Sequence, residues 1–242
     1  SLEVEAKATG ENLEADQIEE AQEGDDADPE GIGVTMNKHQ LVRTQPQLTT
    51  VSVWTNLDDG TEEEIYAVKI AADSKDDVSI YQLVFETILS DVADGDAWLG
   101  IEDYHLADSA GGLDGYTCVG VNETNGGGNT AVTADDGATR HELITCTYTQ
   151  DDMLTINAGS SSTIYLRADV YSSSGDDRIV TSMKESYTDF GTPDTAQNVD
   201  NTGFSAIIWS DNSWVNESLT DTHWFGDESV KGLNTAAITL EG

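Results

Sequence analysis

Asp26, Asp28 and Glu30 stand at alternate positions ahead of Gly31, as the oxygen ligands do at the opening of a calcium-binding loop. The last ligand position of such a loop falls on Asn37 instead of a bidentate Glu, so the ligand set is incomplete. Asp91, Asp94 and Asp96 form a second dense group of oxygens. In a chain with 47 Asp and Glu such proximity says little, and solvated acidic turns explain both groups. Calcium is the one metal these residues would suit, and no other cofactor is indicated. His39, His105, His141 and His223 are scattered, with no two at a metal-ligand spacing. Surface or turn positions account for each. A nucleophile elbow, a zinc-protease helix, a phosphate loop and a dinucleotide fingerprint are all missing from the sequence. No catalytic residue is named, and the expectation is a protein that is not an enzyme.

The two cysteines are Cys118 and Cys146, each inside a strand-like run. In an exported protein they read as one disulfide between neighbouring strands; the alternative is two buried free thiols. Two cysteines are too few for a structural zinc site. Asn122-Glu-Thr124 and Asn216-Glu-Ser218 are glycosylation tripeptides near expected turns. Phe204, Trp209, Trp214, Trp224 and Phe225 concentrate aromatic surface near the C-terminus. They suit a sugar-binding platform, while core packing and subunit contact explain them equally well.

Charge decides the environment. Lys and Arg number 10 against the 47 acids, a formal net charge of −37. Self-repulsion on that scale opposes a compact state at low ionic strength. In about 1 M salt the Debye length shrinks to about 3 Å and the repulsion is screened. The excess is spread over the whole chain, including a body with 5 Trp and 8 Tyr and regular apolar alternation. A disordered acidic tail lacks such residues, so the composition points to a folded protein living in brine. No basic patch exists to neutralise phosphates, which excludes nucleic acid and anionic membrane surfaces as direct partners. No stretch approaches the roughly 20 apolar residues that span a bilayer. The opening Ser1-Leu2-Glu3-Val4 lacks a basic and an apolar leader region and reads as a mature end left by processing.

The elements that must carry these residues are strands. Leu2, Val4, Ala6 and Ala8 alternate with Glu3, Glu5, Lys7 and Thr9, the pattern of an edge or inserted strand. Residues 12–22 are rich in helix formers, with Asn12 placed to cap a short surface helix. Residues 23–31, broken by Gly24, Pro29 and Gly31, read as an acidic linker. Beyond them come short strands split by polar turns: Val51 with Val53, then Tyr66-Val68-Ile70-Ala72, then the nearly continuous run Val78–Phe85. They continue with Trp98–His105, Thr117–Val121, Leu143–Thr149, Ile164-Leu166-Ala168-Val170, Ile179–Met183, Phe204–Trp209 and Ala236–Leu240. The continuous run is what a strand covered on both faces requires. The expected architecture is all-β: an immunoglobulin-like or jelly-roll-like antiparallel sandwich over 33–242, with an N-terminal extension over 1–32.

The runs Ile65–Ser79, Ser162–Asp169, Phe204–Ser213 and Thr222–Leu233 resemble a family of β-sandwich surface proteins abundant in candidate-phyla bacteria and related environmental lineages. The resemblance spans about 48–242 and implies an exported surface or appendage protein; it carries over no catalytic residues. A looser similarity is to donor-strand filaments: archaeal bundling pili and threads, and camelysin-type matrix fibres. In those, an N-terminal strand of one subunit completes the sheet of its neighbour. The resulting expectation is an extracellular, cell-surface filament subunit of a halophile, with identical subunits as partners and residues 1–9 as the donated strand. The alternatives are a halophilic virus capsid or spike protein, and a carbohydrate-binding adhesin that meets host or surface glycans through Trp209, Trp214 and Trp224.

Overall fold

The structure, a computed structural model, describes residues 5–6, 11–12, 42–54, 56–92, 98–122, 128–129, 131–134, 139–149, 151–171, 173–183, 205–212, 224–227, 230–233 and 235–242. The chain forms two compact units, Ser1–Gln40 and Leu41–Gly242. In the first, β1 (Glu5–Ala6) pairs antiparallel with β2 (Glu11–Asn12), Ala6 opposite Glu11. Asn12 is thus a strand residue rather than a helix cap, because its backbone is extended and paired with Glu5. Residues 13–22 lie outside the described residues.

The second unit is a sandwich of two antiparallel sheets, with no helix among its described residues. Sheet 1 contains β3 (Gln47–Thr50), β4 (Gly60–Ala71), β6 (Gly100–Asp108), β7 (Gly111–Gly112), β10 (Ala131–Thr133) and β13 (Ser161–Tyr171). Its order is β10-β6-β13-β4-β3, with β7 beside β6. Sheet 2 contains β5 (Val78–Ser90), β8 (Tyr116–Asn122), β9 (Gly128–Asn129), β11 (Thr139–Tyr148), β12 (Leu154–Ile156), β14 (Arg178–Ser182), β15 (Ile207–Ser210) and β16 (Ile238–Glu241). Its order is β16-β14-β5-β11-β8-β9.

β5 is the axis of sheet 2. On one flank its residues 82–90 pair with β11 and 78–80 with β12; on the other, 86–90 pair with β14 and 79–83 with β15. Four strands laid end to end along two edges cover it from Val78 onward, and its first eight residues are all buried. This is the sequence's continuous apolar run, hidden on both faces. In β13, by contrast, Ile164, Leu166, Ala168 and Val170 are buried while Tyr165, Arg167 and Asp169 are partly exposed. Period-two burial of this kind fixes register, since a one-residue slip would turn every apolar side chain outward.

The core fills the space between the sheets with Tyr66, Val68 and Ile70 of β4, Ile101 and Leu106 of β6, Phe85 and Leu89 of β5, Ile144 of β11 and Leu240 of β16. Tyr116 of β8 ties the two layers together through its hydroxyl. That group accepts a bond from the Leu106 N–H at 2.6 Å and donates to the Leu106 carbonyl at 2.9 Å.

Candidate functional site

The sandwich treats the two halves of β4 differently. β3 runs beside Val68–Ala71, and the Val51 N–H donates to the Ala67 carbonyl at 3.0 Å. The chain then leaves sheet 1 and crosses to sheet 2, where the Leu57 N–H donates to the Glu241 carbonyl of β16 at 2.9 Å. Val51 and Val53, expected as a strand, form this extended crossing instead. Among the described residues nothing pairs with Gly60–Tyr66 on the flank that β3 abandons. Among the described residues β4 therefore ends as an open edge.

A cleft of about 750 Å³ lies against that edge, lined by Trp54, Asn56, Asp58, Glu62, Glu63, Glu64 and Leu240. Leu240 belongs to the core, so the cleft opens toward the space between the sheets. Trp54 is 85% exposed, an unusual position for a large aromatic side chain. A shallower hollow of about 350 Å³ adjoins it, bordered by Ser52, Val53, Trp54, Glu64 and Tyr165.

Local geometry shapes this surface. The pairing of β13 with β4 shifts between Leu166 and Arg167, so Arg167 lies opposite Glu64. The Arg167 Nη2 donates to Glu64 Oε1 at 2.8 Å, with a Glu62 oxygen 4.0 Å from Nη1. The same guanidinium sits 6.0 Å from the centre of the Tyr165 ring. Glu62 has a φ of 60°, in the left-handed region that costs energy for a residue with a Cβ. Its N–H is held by Asp169 Oδ1 at 2.9 Å. The wall is acidic, and a cation already lies over the aromatic face beside it.

The residues singled out in the sequence are dispersed. Ala6 is in β1, while Leu2, Val4 and Ala8 lie outside the described residues, as do Asp26, Asp28, Glu30, Asp94 and Asp96. Asp91 is buried and accepts the Leu99 N–H at 2.7 Å, so its carboxylate serves the backbone. Among the described residues no three His, Cys, Asp or Glu are grouped to hold a metal. Cys118 and Cys146 lie directly opposite each other on β8 and β11 and are joined as a disulfide. Asn122 is the last residue of β8; Asn216 falls outside the described residues.

The sugar platform is corrected. Trp209 is fully buried and stacks at 4.7 Å on Phe225, and Trp224 is buried against Tyr81. A ring enclosed on both faces cannot stack on a sugar, so these aromatics are core. Phe204 and Trp214 lie outside the described residues. Among the described residues two tryptophans are exposed, Trp54 and, less so, Trp98; Trp54 follows Val51-Ser-Val53 in what looks in sequence like one more strand.

His105 and His141 lie on β6 and β11, with His105 Nδ1 3.0 Å from the Asp103 carbonyl. Among the described residues no helix is long and apolar enough to cross a membrane. No family model matches the chain, and no curated protein or solved structure matches it either.

Proposed function

We propose that this protein is a structural subunit of an extracellular filament in a high-salt environment, polymerising when residues 1–9 of one copy pair with the open edge of the next. One observation carries the reading: Gly60–Tyr66 of β4 has no neighbour on one flank among the described residues, and a cleft reaching Leu240 lies beside it. An added strand gains backbone hydrogen bonds along such an edge, and alternate side chains supply the fit. Leu2, Val4, Ala6 and Ala8 would turn toward the cleft, and Glu3, Glu5, Lys7 and Thr9 toward solvent. Within one chain Glu5–Ala6 pairs with Glu11–Asn12 over two residues per strand. So short a ladder is marginal and is readily exchanged for a longer one. The contact is head-to-tail and does not close on itself, so it propagates as a fibre.

Deletion of residues 1–9 tests the reading. In concentrated salt the intact chain sediments as filaments visible by electron microscopy, and the truncated chain stays monomeric with an unchanged β-sheet circular dichroism spectrum. Normal filaments from the truncated chain would sink the proposal.

A further inference from the structure

The acceptor edge carries a feature that backbone pairing alone does not need. Trp54 borders both the cleft and the hollow outside it, and the hollow also presents the Tyr165 ring and the Glu64 carboxylate. Asp58, Glu62 and Glu63 make the adjoining wall acidic. Arg167 already demonstrates the chemistry of this surface, seated over Tyr165 and bonded to Glu64. A second cation brought alongside would meet an open indole face and nearby carboxylates. The proposed donor is itself acidic: in residues 1–31 the acids number twelve, and Lys7 is the one basic residue. Glu3 and Glu5 are repelled by the wall, which leaves Lys7 as the attractive charge. When Leu2, Val4, Ala6 and Ala8 face the cleft, strand alternation turns Lys7 to the outer side, where the hollow lies.

We infer that the Trp54–Tyr165–Glu64 hollow receives Lys7 of the neighbouring copy and thereby sets the register of the donated strand. This inference rests on the filament reading and adds its specificity determinant. A slip of two residues in one direction puts Glu5 in its place, which the acidic wall repels, and in the other puts Thr9 there, which brings no cation, so both neighbouring registers lose the pairing.

A charge exchange tests it. Filament yield is measured by sedimentation and microscopy at a salt concentration where the intact chain assembles. Lys7→Glu should lower the yield by about tenfold or more, the scale of a reversed charge pair at an interface. Lys7→Arg should retain it. Combining Lys7→Glu with Glu64→Lys should restore assembly; Lys7→Glu with Glu62→Lys serves if loss of the Arg167 partner disturbs folding by circular dichroism. Trp54→Ala should weaken assembly without changing the monomer's spectrum. Wild-type yield from Lys7→Glu, or failure of both exchanges to restore it, overturns the assignment of Lys7 to this hollow. If deletion of residues 1–9 abolishes filaments in the same assay, the filament reading survives that loss. If the deletion assembles normally, both fall.

Discussion

Glu142 of β11 stands directly opposite Thr87 of β5, both fully buried, and among the described residues neither carboxylate oxygen of Glu142 has a hydrogen-bond partner. The Thr87 hydroxyl is engaged elsewhere, 3.1 Å from that of Thr181. A lone carboxylate in such a place loses its hydration without compensation. Burial therefore pushes the Glu142 carboxyl up to about 8, so it is held protonated near neutrality. Tyr104 of β6 is affected in turn: burial first, then the Glu142 charge, raise its hydroxyl above the usual tyrosine range.

The sign of the pH effect follows. From the ordinary value of 4.5 up to about 8 the folded chain holds a proton that the unfolded chain has released, so stability falls as pH rises through that window. At 1.36 kcal/mol per pH unit the full loss is on the order of 5 kcal/mol, an upper bound. Glu142→Gln removes this dependence. Urea midpoints measured between about pH 5 and 9 in concentrated salt should slope downward for the native chain and run flat for the variant. Parallel profiles would refute the assignment.

The Cys118–Cys146 bridge closes a loop across 28 residues of sequence separation, and Cys146 is fully buried. A cross-link of that span removes about 3–4 kcal/mol worth of chain entropy from the unfolded state. Replacing both cysteines with Ala should lower stability by that order while leaving the β-sheet spectrum intact. An unfolding midpoint that dithiothreitol does not move in the native chain would contradict this.

Asp227 anchors the segment that buries Trp209. Its two carboxylate oxygens accept the N–H groups of Ala206 at 3.0 Å and Ile207 at 3.1 Å, and the side chain is buried. Asp227→Asn keeps an acceptor oxygen for one of those N–H groups but sets an amide donor against the other, which loses its partner. The cost should be about 2–3 kcal/mol, because buried donors are expensive to strand. Acrylamide quenching of tryptophan fluorescence reports the result: Trp209 and Trp224 should become accessible in the variant under mild denaturant before the rest unfolds. Unchanged quenching would show that β15 is held by packing alone.

Where side-chain periodicity reports burial, the fold was legible. β13 and β5 announce themselves, one by strict alternation and the other by an unbroken apolar run. The short pieces β7 and β9 were not, because two-residue Gly-rich ladders carry no pattern of side chains to read. β12 escaped for a related reason: Leu154–Ile156 is too short for alternation, and β5 supplies the reason it is a strand. The open edge was invisible in principle. Glu62, Glu63 and Glu64 look like any acidic turn until the departure of the chain after Val51 leaves them, among the described residues, without a neighbour on that flank. For Trp209 and Trp224 the sequence leaves platform and core packing both open, because composition cannot tell a stacked core ring from an exposed one; their burial decides for the core.

Salt should act on the folded monomer before it acts on any assembly. The net charge is −37, with 10 Lys and Arg against 47 Asp and Glu; ion pairs such as Arg43 with Asp76, Arg167 with Glu64 and Arg178 with Glu241 can engage only a minority of the acids. Ten cations cannot pair one to one with 47 carboxylates, so the acids as a set repel one another. At about 0.01 M salt the Debye length is about 30 Å, so charges across the whole sandwich interact; at about 1 M it is about 3 Å and only contacting groups do. The thermal midpoint of a chain lacking residues 1–9 should therefore climb steeply as potassium chloride is raised and level off near molar concentration. Screening depends on ionic strength, so sodium chloride at equal concentration should give the same curve in the dilute range. A midpoint independent of salt would mean that the carboxylates are neutralised within the fold, and the case for a brine environment would lose its physical basis.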